Sequence, residues 1–291
     1  MILMRNFFAT LAVVIGTISI AVPTAAAESF VFTAIPDQDE TRLRERFGRV
    51  ADYLKQKLGV DVSYVPVKSY AAAVTAFKND QVQLAWFGGL SGVRARQLVS
   101  GSEAIAQGYE DQFFVTYFIA NTSTGLSYGQ PFPQGMKGKT FTFGSKGSTS
   151  GRLMPEFHIR EAFKNSPDKV FSRVGFSGDH SRTIALVQSG AFEVGALNFK
   201  TWEKESALGK IDPSKVQVIW QTPTYPDYQW SIRGDVDARY GAGFKNKVRD
   251  ALLAIKDAKL LEAFPRQSFV PATNADYQPI VDTAKSIGLI D

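Results

Sequence analysis

Two short runs decide the fold: Phe30-Val31-Phe32-Thr33-Ala34-Ile35-Pro36 and Val82-Gln83-Leu84-Ala85-Trp86-Phe87-Gly88-Gly89. The first reads as a buried strand, rich in β-branched and aromatic residues and stopped by a proline that has no N–H to offer a ladder. The segment after it carries Leu43, Phe47, Val50, Leu54 and Leu58 on one helical face, and Gly59 ends it. Val60 to Val67 reads as a second strand and Tyr70 to Lys78 as a short helix. In the second run, Val82, Leu84 and Trp86 alternate as a third strand. Strand, helix, strand, helix, strand predicts a parallel, doubly wound sheet whose ligands lie beyond the carboxyl ends of the strands.

Further along, Phe113 to Ala120 is one long β-rich run, and Asn121-Thr122-Ser123-Thr124-Gly125 is a polar break read as a crossing between domains. The same alternation then resumes, with strands at Thr140 to Phe143, near Val174-Gly175-Phe176 and at Val194 to Leu197. Helices bearing Leu153, Phe157 and Phe163, then Ile184 and Val187, lie between them. Val216 to Trp220 is another strand, and Pro223 to Tyr228 with Gln229 to Arg233 reads as the return crossing. Helices with Phe244, Val248, Leu252 and Ile255, and with Tyr277, Ile280, Val281 and Ala284, are expected to pack back on the first domain. The expectation is an α/β protein of two doubly wound lobes joined by a two-segment hinge. Residues 28–121 plus 231–291 would form lobe 1, and 122–230 lobe 2. Clefts of this kind close around ligands.

The first 27 residues read as a signal peptide: Arg5, an apolar stretch from Phe7 to Val22, and Thr24-Ala25-Ala26-Ala27 ahead of Glu28. Cleavage near Ala27 would release the protein into the periplasm. With Arg5 removed from the 33 basic residues, 32 remain against 28 acids. That charge of +4 is scattered, so it argues against nucleic acid and is compatible with a small anionic ligand. The chain has no cysteine, which excludes a disulfide, a thiolate nucleophile and a lipid tether on sulfur.

Four segments fall where a strand ends and a helix begins: Pro36 to Thr41, Phe87 to Ser91, Gly147 to Gly151, and Ser177 to Ser181. The third belongs to Phe143-Gly144-Ser145-Lys146-Gly147-Ser148-Thr149-Ser150-Gly151, where glycines allow close approach and three hydroxyl residues precede a helix. A helix start of this composition is an anion cradle. Asp179 or Ser181 can cap the last of the four, which sets His180 in or beside a first turn, and Ser91 is a further helix-start donor. Enzyme readings fit poorly. The spacing Gly147-Ser148-Thr149-Ser150-Gly151 puts threonine where a nucleophile elbow needs serine, and the cradle lacks the Gly-Lys-Ser/Thr ending of a nucleotide loop. Adjacent Asp179 and His180 would not orient as a relay. Two histidines and no cysteine leave few metal sites, and neither a metal nor a cofactor is expected.

In the order of Tyr70, the strand end Leu84-Ala85-Trp86-Phe87-Gly88, the cluster Gly147 to Gly151 with Pro155, and Gly178-Asp179-His180-Ser181, the chain resembles phosphate, phosphite and phosphonate receptors of ABC importers. The resemblance runs through most of the chain beyond residue 27 and implies a type II periplasmic-binding fold. It also implies an oxyanion held by Tyr70, Ser148, Thr149, Ser150 and His180. Phosphonate binders of this family carry an acidic residue near the end of the strand after the histidine helix, and Asn198 stands there. A carboxylate favours an oxyanion that keeps a proton, whereas an amide can donate to one fully ionised. That departure points to selenate or sulfate, and the chain is similar to selenate-binding members of the family. Asp37 or Asp39 could restore the missing acceptor. The expected partners are a small oxyanion and an inner-membrane ABC permease, with the receptor a monomer. A periplasmic sensor for a histidine kinase or chemoreceptor, and a receptor for a small organic solute between Tyr70, Trp86, Phe87 and Tyr225, remain alternatives.

Overall fold

Eleven strands fall into two sheets in the computed structural model, which describes residues 28–38, 40–129, 131–261 and 264–290. The expected signal peptide and Asp39 lie outside the described residues. In chain order the strands are β1 (Phe30–Ala34), β2 (Val62–Tyr64), β3 (Leu84–Phe87), β4 (Glu103–Gly108), β5 (Thr116–Asn121), β6 (Thr140–Phe143), β7 (Arg173–Phe176), β8 (Val194–Asn198), β9 (Val216–Gln221), β10 (Gln229–Ile232) and β11 (Phe269–Pro271).

The first sheet has the order β11-β4-β10-β3-β1-β2. β1 runs parallel to β2 and β3, as the strand–helix alternation requires. β10 is antiparallel to β3 and β4, because it arrives from the other lobe instead of through a local crossover helix. The second sheet, β7-β6-β8-β5-β9, repeats this plan: β6 is parallel to β7 and β8, and β5 is antiparallel to β8 and β9. Phe32, Phe47, Trp86, Trp230 and Phe264 are buried in one aromatic core under the first sheet. Phe118, Phe141, Phe143 and Trp220 fill the second.

The crossings lie nearer the middle of the molecule than the expected boundaries at 121 and 231. β5, expected in lobe 1, is hydrogen-bonded into the second sheet, and β10, read with the return crossing, is a full strand of the first. The outward crossing is the 3-10 turn Tyr109–Phe113 and its continuation, and the return is residues 222–228. The two crossings are themselves paired: Phe114 and Tyr225 exchange both backbone hydrogen bonds at 3.0 Å, and Asp227 N–H donates to the Asp111 carbonyl at 3.0 Å. The continuous apolar run from Phe113 to Ala120 gives no compositional sign of this cut. The break Asn121 to Gly125 is instead a capped 3-10 turn at the far end of β5, with Gly125 in the left-handed region at φ 69°.

Candidate functional site

Helix Tyr70–Lys78 starts at a Ser69 cap whose side chain accepts from Ala72 N–H, and this puts the Tyr70 ring into the space between the lobes. Across that space, β6 ends at Phe143 and the chain turns through Gly144 to Gly147 into a π-helical turn, Thr149–Leu153, ahead of helix Met154–Phe163. Wide turns of this sort are concentrated at functional sites. Close packing explains the glycines. A Cβ on Gly147 would sit 3.0 Å from Tyr70 Cβ, and one on Gly151 would sit 3.1 Å from the Gly144 Cα and 3.2 Å from the His180 ring.

Ser148 caps this turn, its Oγ accepting from Gly151 N–H at 2.9 Å, which leaves its own hydroxyl proton free to donate. Ser150 Oγ is buried with no partner. Thr149 behaves differently: its Oγ1 accepts from Leu90 N–H of lobe 1 at 3.0 Å, and it lies near Asp227, with Asp227 Oδ1 and Thr149 Oγ1 both within 3.3 Å of where a Cβ on Gly88 would stand. His180 opens helix His180–Gln188 behind an Asp179 cap and is fully buried. Its Nδ1 accepts from Asn198 N–H at 3.4 Å, so the proton of the neutral ring is on Nε2, which has no partner. Burial lowers the imidazole to about 4, against a smaller opposing pull from Asp37, so near neutral pH this is an uncharged N–H donor.

Asp227, in the return crossing, was not among the expected site residues. Gly89 N–H donates to its Oδ1 at 2.8 Å, while Oδ2 is fully buried and unpartnered. Burial pushes this carboxyl up to about 7, with the Thr149 hydroxyl, the Gly89 N–H and the Arg266 charge opposing and Asp111 adding to it. Tyr70 Oη is the remaining orphan in the cleft. Its phenol is held well above its usual range by burial and then by Asp37 and Asp227, so it stays a donor. Tyr70, Ser150, His180 and Asp227 thus bring three donors and one acceptor into the interior without a well-formed hydrogen bond, the Tyr70 hydroxyl lying near Ser148 and Tyr228 and the Ser150 hydroxyl near Tyr225. Natural interiors rarely leave such groups unpaired unless something else binds them.

Two expected residues do other work. Asn198 spends its Oδ1 on Lys200 N–H (2.7 Å) and Thr201 N–H (3.2 Å) as the cap of helix Phe199–Ala207, and its Nδ2 donates to Tyr228 Oη at 3.0 Å. Tyr228 Oη in turn donates to Asp37 Oδ2 at 3.0 Å, so Asn198 ends a chain of bonds that ties lobe 2 to lobe 1. Ser91 donates its hydroxyl to the Gly88 carbonyl at 3.1 Å, one turn back on its own helix. Asp227 brings a buried carboxylate to this region from another segment, the return crossing. The only sequence signal for Asp227 was its place in the aromatic crossing Tyr225-Pro226-Asp227-Tyr228. His158, inside helix Met154–Phe163, meets the Trp220 ring edge-on with ring centres 5.2 Å apart.

Residues 32–277 match the family described as ABC transporter, phosphonate, periplasmic substrate-binding protein. The chain is 38% identical over 264 residues to the "Probable ABC transporter phosphite binding protein PhnD1" of Prochlorococcus marinus, covering 88% of this chain and 89% of that one. The structure of that PhnD1 in complex with methylphosphonate superposes with a TM-score of 0.85, over 90% of this chain and 99% of the other. A binding component of an ABC phosphonate transporter from Pseudomonas aeruginosa, 21% identical, shares the fold with a TM-score of 0.77 over 88% and 85% of the two chains.

Proposed function

The chain belongs to the periplasmic substrate-binding proteins of phosphonate ABC transporters, receptors and not enzymes, and on that premise we propose that its cleft takes a small tetrahedral phosphorus oxyanion carrying one proton, phosphite or a small phosphonate. The observation that carries this reading is the buried, unpartnered Asp227 Oδ2, whose charge acts on the equally unpartnered Tyr70 phenol. Tyr70 Oη, Ser148 Oγ, Ser150 Oγ and His180 Nε2–H donate to the ligand's oxygens, and Asp227 accepts from its single P–OH. Thr149 serves the site indirectly, tying the cradle to the lobe 1 backbone at Leu90, beside Asp227.

Selectivity then rests on counting protons. Sulfate and selenate present four oxygens and no proton, so Asp227 must carry the proton to meet them; above about pH 7, where its carboxyl ionises, it faces a lone pair, and an unmatched buried polar group costs about 1–3 kcal/mol. Negative charge on the ligand is met by dipoles and hydroxyls; none of the four orphaned groups in the cleft belongs to an arginine or lysine. The partner that receives the ligand is the membrane permease of the transporter.

Calorimetry with phosphite, methylphosphonate, phosphate, sulfate and selenate at pH 6.5 and 8.5 tests the reading. Phosphite and methylphosphonate should bind, and more weakly at pH 8.5, where the one shared proton is lost. Tighter binding of sulfate or selenate than of either phosphorus ligand would overturn it.

A further inference from the structure

A cavity of about 510 Å³ opens beside the cradle, between helix Tyr70–Lys78 of lobe 1 and the Gly144 to Gly147 turn of lobe 2. Its wall has two kinds of surface. Ala71, Val74 and the half-exposed Phe176 ring are apolar, and Lys146 and Arg94 are the charged residues on it; no acidic side chain lines it among the described residues. Lys146 Nζ lies 5.2 Å from the centre of the Phe176 ring. Arg94 is anchored by Nη2 to the Leu289 carbonyl at 2.8 Å; nearby Arg152, its guanidinium 5.0 Å from the same ring, is paired with the buried Glu156, so Lys146 and Arg94 carry the charge of the cavity. Tyr70 and Gly147 belong to both the cavity wall and the cradle, so the two spaces share a boundary at the ligand site.

Resting on the reading that the cradle holds the phosphorus end, we propose that this cavity is a subsite for the organic substituent of a phosphonate, and that it selects a short aliphatic chain ending in an anion such as a carboxylate. The stem would lie on Ala71, Val74 and Phe176, and the terminal charge would face Lys146 and Arg94. An ammonium-tailed phosphonate meets the same two cations and is disfavoured; like charges brought together at short range in a partly buried site repel.

The test is calorimetry with phosphite, methylphosphonate, 3-phosphonopropionate and 2-aminoethylphosphonate on the wild type and on Lys146→Glu, with stopped-flow association rates for each. The expected result is at least a tenfold preference for 3-phosphonopropionate over 2-aminoethylphosphonate, lost or reversed in Lys146→Glu, while phosphite affinity stays within about threefold. Three outcomes overturn the subsite. Methylphosphonate could bind while both longer ligands are refused, or the two tails could be held equally. Lys146→Glu could also slow association of all four ligands to the same degree, which would make the cations a steering field only. Failure of phosphite and methylphosphonate themselves to bind would instead overturn the reading of the cradle.

Discussion

His180 is fixed as a donor by a backbone amide: once Asn198 N–H occupies Nδ1, only Nε2 can carry the proton of the neutral ring. His180→Phe should therefore weaken phosphite binding by about tenfold or more, the worth of a lost hydrogen bond in a dry site, as read by calorimetry. His158→Phe should leave affinity alone. Both histidines are held neutral by burial, each lowered to about 4, so each contributes stability above its ordinary value near 6.5 that is lost as pH falls toward 4. His158→Phe should flatten the fall in Tm of the ligand-free protein between pH 6.5 and 4.5, measured by calorimetric scans. Asp227 has the opposite sign. Its carboxyl is raised to about 7, so the ligand-free fold is favoured by the protonated form and loses stability as pH rises from about 4 to 7. Asp227→Asn should raise Tm at pH 8, weaken phosphite and methylphosphonate, and narrow or reverse their preference over sulfate. A variant with unchanged anion selectivity would remove Asp227 from the site.

At the scale of elements, the cradle works because a strand end and a helix start are packed closer than side chains allow. Gly144 and Gly151 face each other backbone to backbone, with Gly144 N–H donating to the Gly151 carbonyl at 2.7 Å. Gly151→Ala would put its Cβ against that backbone, which cannot rotate away, and should cost both Tm and affinity. Gly178→Ala, with open space at its Cβ but φ at +95°, should cost Tm while sparing affinity. The strand–turn–helix junction at Phe143 to Met154 was legible in the sequence because its signals are local: glycine and hydroxyl residues at such a junction keep their meaning in one dimension. Asp227 was not legible, since its setting comes from Gly89, 138 residues away in sequence. The capping role of Asn198 was hidden for a related reason: a helix cap and a ligand donor are the same residue type at the same kind of junction. The parallel halves of both sheets could be read from alternation, but β4 and β10 could not. Their partners are set by where the chain re-enters lobe 1.

Across the whole molecule, a buried ion pair fastens the outward crossing to lobe 1. Arg266 Nε and Nη2 grip both carboxylate oxygens of Asp111 at 2.7 Å, and the guanidinium lies over the rings of Phe114 and Tyr228. Cutting one partner of such a pair strands the other charge in the interior, so Asp111→Asn should destabilise the protein by about 3–5 kcal/mol, seen in chemical denaturation. Thr149→Val removes an acceptor from Leu90 N–H while leaving the cores intact. It should favour the open form, detectable as a larger radius of gyration in solution scattering and as weaker binding. Asp227 accepts from Gly89 in lobe 1, and Thr149 of lobe 2 reaches the next residue, Leu90, so the acceptor and the donors of lobe 2 face one another only after the lobes have met. An anion of the wrong protonation state can then enter the open cleft as fast as the right one, and discrimination falls on how long each stays. Sulfate and phosphite should show similar association rates in stopped-flow measurements, with nearly all of their difference in affinity in the dissociation rate.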